Sequence, residues 1–206
     1  MTATRRAALI LIAILVTEAV PFGLTLAGAR PGVLARLYGF DPHAWPAWLL
    51  AAAIAAAYSA YAARALPLVG AHMFDWHWLK LIAIPFAIVT GSFEELFFRK
   101  WLMDWAAHAD SPVVLQAAIS ALVFGAAHGI WGLFGRQWRV AVGAVASTTI
   151  LGALLALVYL LAGRQVAPCI WSHMLINLAI EPWLVLAAVQ AFRKNDASTP
   201  TSHGAG

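Results

Sequence analysis

Trp78-Leu79-Lys80-Leu81-Ile82-Ala83-Ile84-Pro85-Phe86-Ala87-Ile88-Val89-Thr90-Gly91-Ser92-Phe93-Glu94-Glu95-Leu96-Phe97-Phe98-Arg99 decides how this chain folds. The run is apolar over the roughly 20 residues that a helix needs to cross a bilayer. Yet it carries Glu94, Glu95 and Arg99 within six positions. An ionisable side chain at membrane depth costs roughly 2.5 to 3.5 kcal/mol or more, so three together demand a role. The surrounding 206 residues are 63% hydrophobic and 11% charged, with a mean hydropathy of +0.80. Soluble domains are nearer half apolar and a quarter charged. The reading is an all-α, polytopic membrane helix bundle.

Six spans are expected, near 7–28, 46–68, 78–105, 112–131, 139–162 and 167–191, each close to bilayer length. Arg5-Arg6 followed by Ala7 to Val16 has the order of a signal peptide, with Ala27-Gly28-Ala29 as a small-residue cleavage pattern. The apolar stretch runs past a typical signal core, so a retained first span is expected. Pro85 and Gly91-Ser92 predict a bend just before the acidic pair. Ser111-Pro112 predicts a helix start with Ser as cap and Pro at the first helical position. Gly135 to Arg139 and Gly163-Arg164-Gln165 read as polar breaks. Residues 1–77 read as an N-terminal two-span region, 78–192 as a core that carries the polar motifs, and 193–206 as a disordered tail.

The 10 Trp suit interfacial belts. The net charge of +4 points to orientation and anionic lipid, with no role for nucleic acid. Lys and Arg counted over loops and tails, Lys80 among the inner ones, place both termini in the cytoplasm. A single cysteine, Cys169, excludes an internal disulfide and a thiolate cluster.

Glu95 and Arg99 are four apart and share a helix face, so they can pair. Glu94 points about 100° away and keeps no such partner. Two adjacent acids in different surroundings titrate differently, which suits a general base. Phe124 and His128 are also four apart, flanked by Gly125 and Gly129, a small-residue pair that lets another helix approach. His173 and Asn177 repeat the four-residue spacing, and both can donate hydrogen bonds. Each His has a plainer reading as interhelical polar glue. Glu18 reads as functional or interfacial, and Glu181, before Pro182, as a group supporting the site from behind. His72, His77 and His108 read as interfacial. Ser147-Thr148-Thr149 reads as hydroxyls bonding back to their own helix.

These motifs resemble the CPBP family of CAAX proteases and bacteriocin-processing enzymes, also called Abi. That family carries EExxxR, FxxxH and HxxxN or HxxxD on successive membrane helices. Glu94-Glu95-Leu96-Phe97-Phe98-Arg99, Phe124-Gly125-Ala126-Ala127-His128 and His173-Met174-Leu175-Ile176-Asn177 match in order and spacing. The resemblance covers about residues 78 to 191. Lys100 stands where many members have Gly. Well-studied relatives have more spans and an active site open to the cytosol, reached by an EExxxR helix running opposite to the charge-based orientation here.

The resemblance implies an intramembrane endopeptidase in a bacterial inner membrane, acting on membrane-anchored proteins or peptides. In the type II CAAX prenyl endopeptidase this activity removes the last three residues of a prenylated protein. Bacterial members are linked to peptide maturation, immunity and surface-protein processing. In the expected mechanism Glu94 activates a water that His128 holds, His173 and Asn177 stabilise the oxyanion, and Arg99 with Glu95 fixes the site, Phe124 supporting. No cofactor is favoured, and zinc stays open. The competing form is a Zn²⁺ site of Glu94, His128 and His173 with an open position for water. Two non-enzymatic readings also fit buried acids and imidazoles: a proton-coupled transporter and a membrane scaffold or immunity protein.

Overall fold

The computed structural model describes residues 1–129 and 138–198, and every regular element among them is a helix. The elements are α1 (Ala3–Ala27), α2 (Val33–Tyr38), a 3₁₀ turn (Pro42–Ala44), α3 (Trp45–Ala65) and α4 (Pro67–His72). Then come α5 (Trp78–Glu95), a π-helical segment (Leu96–Met103), α6 (Asp104–His108) and α7 (Val113–His128). The chain closes with α8 (Trp138–Leu161) and α9 (Ala167–Ser198). Among the described residues, five stretches are long and apolar enough to cross a membrane: Ala3–Ala27, Val33–Ala65, Trp78–His108, Ala141–Leu161 and Ala167–Phe192. Val113–His128 is a shorter apolar helix. The protein is a multi-pass membrane bundle.

Its outer surface is what a lipid solvent selects. Leu9, Val16, Val20 and Leu24 on α1 are exposed, as are Leu122 on α7 and Ile150 and Leu157 on α8. Trp45, Trp76, Trp78, Trp101 and Trp105 are exposed towards helix ends, where indole rings suit headgroup depth. The interior is built from α9, which packs on α5 and α3, and from α1, which packs on α5 and α9. On the other side α7 lies along α8 and the π segment.

Glycine permits two close approaches between helices. A Cβ on Gly91 would stand 3.1 Å from Met174 Cγ and 3.2 Å from Met174 N, so α5 and α9 touch there almost backbone to backbone. A Cβ on Gly125 would strike the Thr149 side chain and lie 2.9 Å from Val145 O. The small-residue face expected on α7 therefore receives α8.

The third span departs from expectation. Pro85 sits inside an unbroken α5, and the irregularity falls after the acidic pair, in the π segment. Single π turns insert an extra residue and concentrate at functional sites. Ser120 Oγ of α7 donates to Phe98 O inside this segment at 2.9 Å. At the start of α7, Pro112 is the cap rather than the first helical residue, and the helix opens at Val113 without a side-chain cap. Ser111 instead accepts from Gln116 Nε2 through its carbonyl at 2.7 Å.

Lys80, counted from sequence as a loop charge, is buried at 7% exposure. Its Nζ donates to Leu178 O at 2.7 Å, Met73 O at 2.8 Å and Ala179 O at 3.4 Å. Pro182 has no N–H to return to the carbonyl four residues earlier, so Lys80 satisfies the carbonyl of Leu178 in its place. The polar break at Gly135 lies outside the described residues, as does Arg136 of the charge count, while Trp138 and Arg139 already belong to α8. The last helix runs to Ser198, beyond the Arg193 at which the sequence places the tail, and 199–206 lie outside the described residues.

Candidate active site

Glu95 and Arg99 are both fully buried and form an ion pair, Arg99 Nε to Glu95 Oε2, at 3.1 Å. The contact is electrostatic rather than an aligned hydrogen bond, since neither atom has a hydrogen-bonding partner. The guanidinium also donates from Nη2 to Gly152 O of α8 at 3.3 Å. Its carbon stands 4.6 Å from the centre of the Phe124 ring, a range in which a ring face attracts a cation. The other oxygen of Glu95, Oε1, lies 2.8 Å from His173 Nδ1. Because the carboxylate must accept, Nδ1 carries the hydrogen. A helix-internal pair thus reaches across to α9 and fixes the His173 ring. The sequence predicted the ion pair but not its hold on His173, which needs the α5–α9 approach at Gly91.

His173 Nε2 faces Glu94 Oε2 at 3.5 Å. Glu94 is the freer acid, its side chain 16% exposed against 0% for Glu95. Adjacent residues have therefore been given different surroundings, as the 100° helical offset requires. On α7, His128 Nδ1 donates to Phe124 O one turn back at 2.9 Å. That hydrogen bond leaves Nε2 as the free nitrogen of the neutral ring. Phe124, fully buried, packs its ring 4.5 Å from His128 and 5.7 Å from His173. It holds both imidazoles and the guanidinium against one aromatic surface.

These side chains surround a cavity of about 220 Å³. Helix α5 contributes Glu94 and Thr90, α7 contributes His128, and α9 contributes His173 and Asn177. Helix α1 adds Glu18, and α9 adds Glu181 one turn beyond Asn177. Ile14, Phe86 and Ala127 complete the apolar wall. The four residues expected to share a site are brought together, from three different helices. Glu18 was legible only as an acid in an apolar run; its place in the cavity depends on how α1 packs. Thr90 carried no sequence signal.

The remaining polar candidates lie elsewhere. His72 pairs with Asp75 at 2.7 Å and lies against Trp183. His77 caps α5 by accepting from Leu79 N at 3.2 Å. His108 Nδ1 donates to Asp104 O at 2.6 Å. None of the three lines the cavity. Ser147 and Thr148 bond back to Ala144 O at 3.1 and 2.7 Å, as their position predicts. Cys169 is buried, its thiol against Leu155 O at 3.3 Å.

Three carboxylates, two imidazoles and a carboxamide lining one cavity can deprotonate a water and stabilise an oxyanion. Among the described residues, no group of three or more His, Cys, Asp or Glu side chains is placed to hold a metal ion. Residues 75–179 match the family model described as type II CAAX prenyl endopeptidase Rce1-like. Comparison with curated proteins and with solved structures gives no match.

Proposed function

The chain belongs to the Rce1-like family of type II CAAX prenyl endopeptidases, and on that premise we propose that it hydrolyses peptide bonds through a water activated by Glu94. The family makes it a membrane-embedded protease acting on membrane-anchored substrates. It favours hydrolysis over the transporter and scaffold readings.

In this reading Glu94 takes a proton from the water as its oxygen attacks the scissile carbonyl carbon. His128 Nε2, left as an acceptor by the bond from Nδ1 to Phe124 O, holds the water's second hydrogen. His173, oriented by Glu95, donates from Nε2 as the imidazolium, and Asn177 donates from its amide. Both bonds strengthen as charge gathers on the carbonyl oxygen, and such donors are worth roughly 3 to 4 kcal/mol each. The C–N bond then breaks and the proton on Glu94 passes to the leaving amine. Arg99 balances the charge of Glu95 behind His173. Zinc held by Glu94, His128 and His173, with an open position for water, is the competing form.

The observation that carries the reading is the convergence of Glu94, His128, His173 and Asn177 on one cavity. Purified wild type and Glu94→Gln, assayed by mass spectrometry on a library of membrane-anchored peptides, test it. Wild type should cut, and the variant should lose roughly 10²- to 10⁴-fold in rate with unchanged thermal unfolding. An active Glu94→Gln enzyme would remove Glu94 as the base.

A further inference from the structure

The proposed hydrolysis leaves part of the cavity unused. Glu95 is neutralised by Arg99, and His173 stands between Glu95 and Glu94. Beyond them the same cavity is lined by two further carboxylates, Glu18 from α1 and Glu181 from α9. Both lie outside the stretch matched to the family, residues 75–179. Among the described residues, no Lys or Arg lines the cavity, and His128 is the one basic group facing these two acids that Glu94 and Glu95 do not already engage. Lys80 is committed to backbone carbonyls.

A second observation points to a ligand. Thr90, only 4% exposed, lines this space beside Glu18, and its Oγ1 makes no hydrogen bond within 3.5 Å. Glu18 Oε2 is likewise buried and without a hydrogen bond, whereas Glu94 Oε2 faces His173 Nε2. Buried polar atoms are almost always satisfied. Here two such oxygens, both able to accept, look onto a space far larger than the ~30 Å³ share of one water. The group that satisfies such a set is a donor carrying positive charge.

Resting on the protease reading, we propose that Glu18, Glu181 and Thr90 form a subsite for a protonated nitrogen of the substrate. The occupant is a Lys or Arg side chain of a membrane-anchored peptide, bound close to the scissile bond. The two carboxylates would neutralise its charge at membrane depth, and Thr90 Oγ1 would accept one of its hydrogens. Selection would follow from charge: a neutral isostere leaves the acids unpaired, and an acidic residue meets repulsion.

The test uses acyl-anchored peptides, N-acetylated to remove the α-amine, with Lys, norleucine or Glu placed at each position in turn. Cleavage by wild type is read by mass spectrometry, and binding to Glu94→Gln by fluorescence anisotropy. At one position Lys should be preferred over norleucine by about tenfold in both readouts. In Glu18→Gln/Glu181→Gln the preference should fall to about twofold or less. Wild-type protein showing no Lys preference in cleavage or binding would overturn the subsite, whatever the variants do. So would a preference that survives the double substitution. A preference seen only without acetylation would assign the subsite to an N-terminal amine instead of a side chain. Glu94-dependent cleavage without any preference would leave the protease reading standing and remove the subsite. Carboxylate-dependent Lys binding with no cleavage of any peptide would do the reverse.

Discussion

Arg99 is the residue on which the site's charge balance turns. It is fully buried, pairs with Glu95, donates to Gly152 O and packs on Phe124. A buried ion pair adds little net stability over an apolar pair, but removing one partner strands the other charge. Arg99→Met should therefore destabilise the protein by about 3 to 5 kcal/mol. Arg99→Met/Glu95→Gln should recover most of that loss, because no charge is left unpaired. The double variant should nevertheless remain a poor enzyme, since a neutral amide cannot stabilise His173 as the Glu95 carboxylate does. Detergent-resolved unfolding followed by tryptophan fluorescence, with peptide cleavage alongside, gives both quantities. Additive losses in stability would show that the pair is not coupled. The pairing itself was legible from a four-residue spacing, whereas the contact from Glu95 to His173 joins residues 78 positions apart and no local pattern encodes it.

Between elements, two devices hold the membrane-depth machinery in place. The first is the close approach at Gly91, where α5 meets α9 at Met174, the residue next to His173. Gly91→Val would push the helices apart and carry His173 away from Glu94 and Glu95. Overpacking of this kind costs about 1 to 3 kcal/mol, and a misplaced catalytic group costs on the order of 10²-fold in rate. A Cβ on Gly23 of α1 would meet nothing within 4 Å, so Gly23→Val serves as the control and should leave cleavage intact. Equal loss in both variants would mean that the site does not depend on this contact. The second device is Lys80 against the carbonyl that Pro182 leaves open. Lys80→Met should cost about 1 to 3 kcal/mol for the orphaned acceptor. Pro182→Ala restores the N–H, so in that background the cost of Lys80→Met should shrink by about 1 kcal/mol or more. Identical costs in the two backgrounds, measured by thermal unfolding, would break the link between lysine and proline.

For the whole molecule, hydropathy made the bundle readable because lipid demands long apolar helices with every backbone group satisfied internally. Helical spacing then put Glu95 with Arg99, Phe124 with His128, and His173 with Asn177 on common faces. Which faces meet is a tertiary matter. Lys80 looked like a loop charge until α9 supplied its carbonyls, and Glu18 gained its meaning from the packing of α1 against α5 and α9. The π segment after Glu95 had no signature either, as Pro85 and Gly91 drew the expected bend upstream. The assembled arrangement bears on how water is activated. One nitrogen of His173 serves Glu95, the other faces Glu94, and His128 spends Nδ1 on Phe124 O. A zinc site would need Glu94 and the two Nε2 atoms to converge on one point at about 2.0 to 2.2 Å from the metal. His173 Nε2 would then be a ligand and could no longer donate to the oxyanion. Cleavage should therefore persist after exhaustive treatment with a strong chelator, and metal analysis of the active protein should find zinc well below one equivalent. Zinc at one equivalent, with activity lost on chelation and restored by adding it back, would transfer the water from Glu94 to the metal.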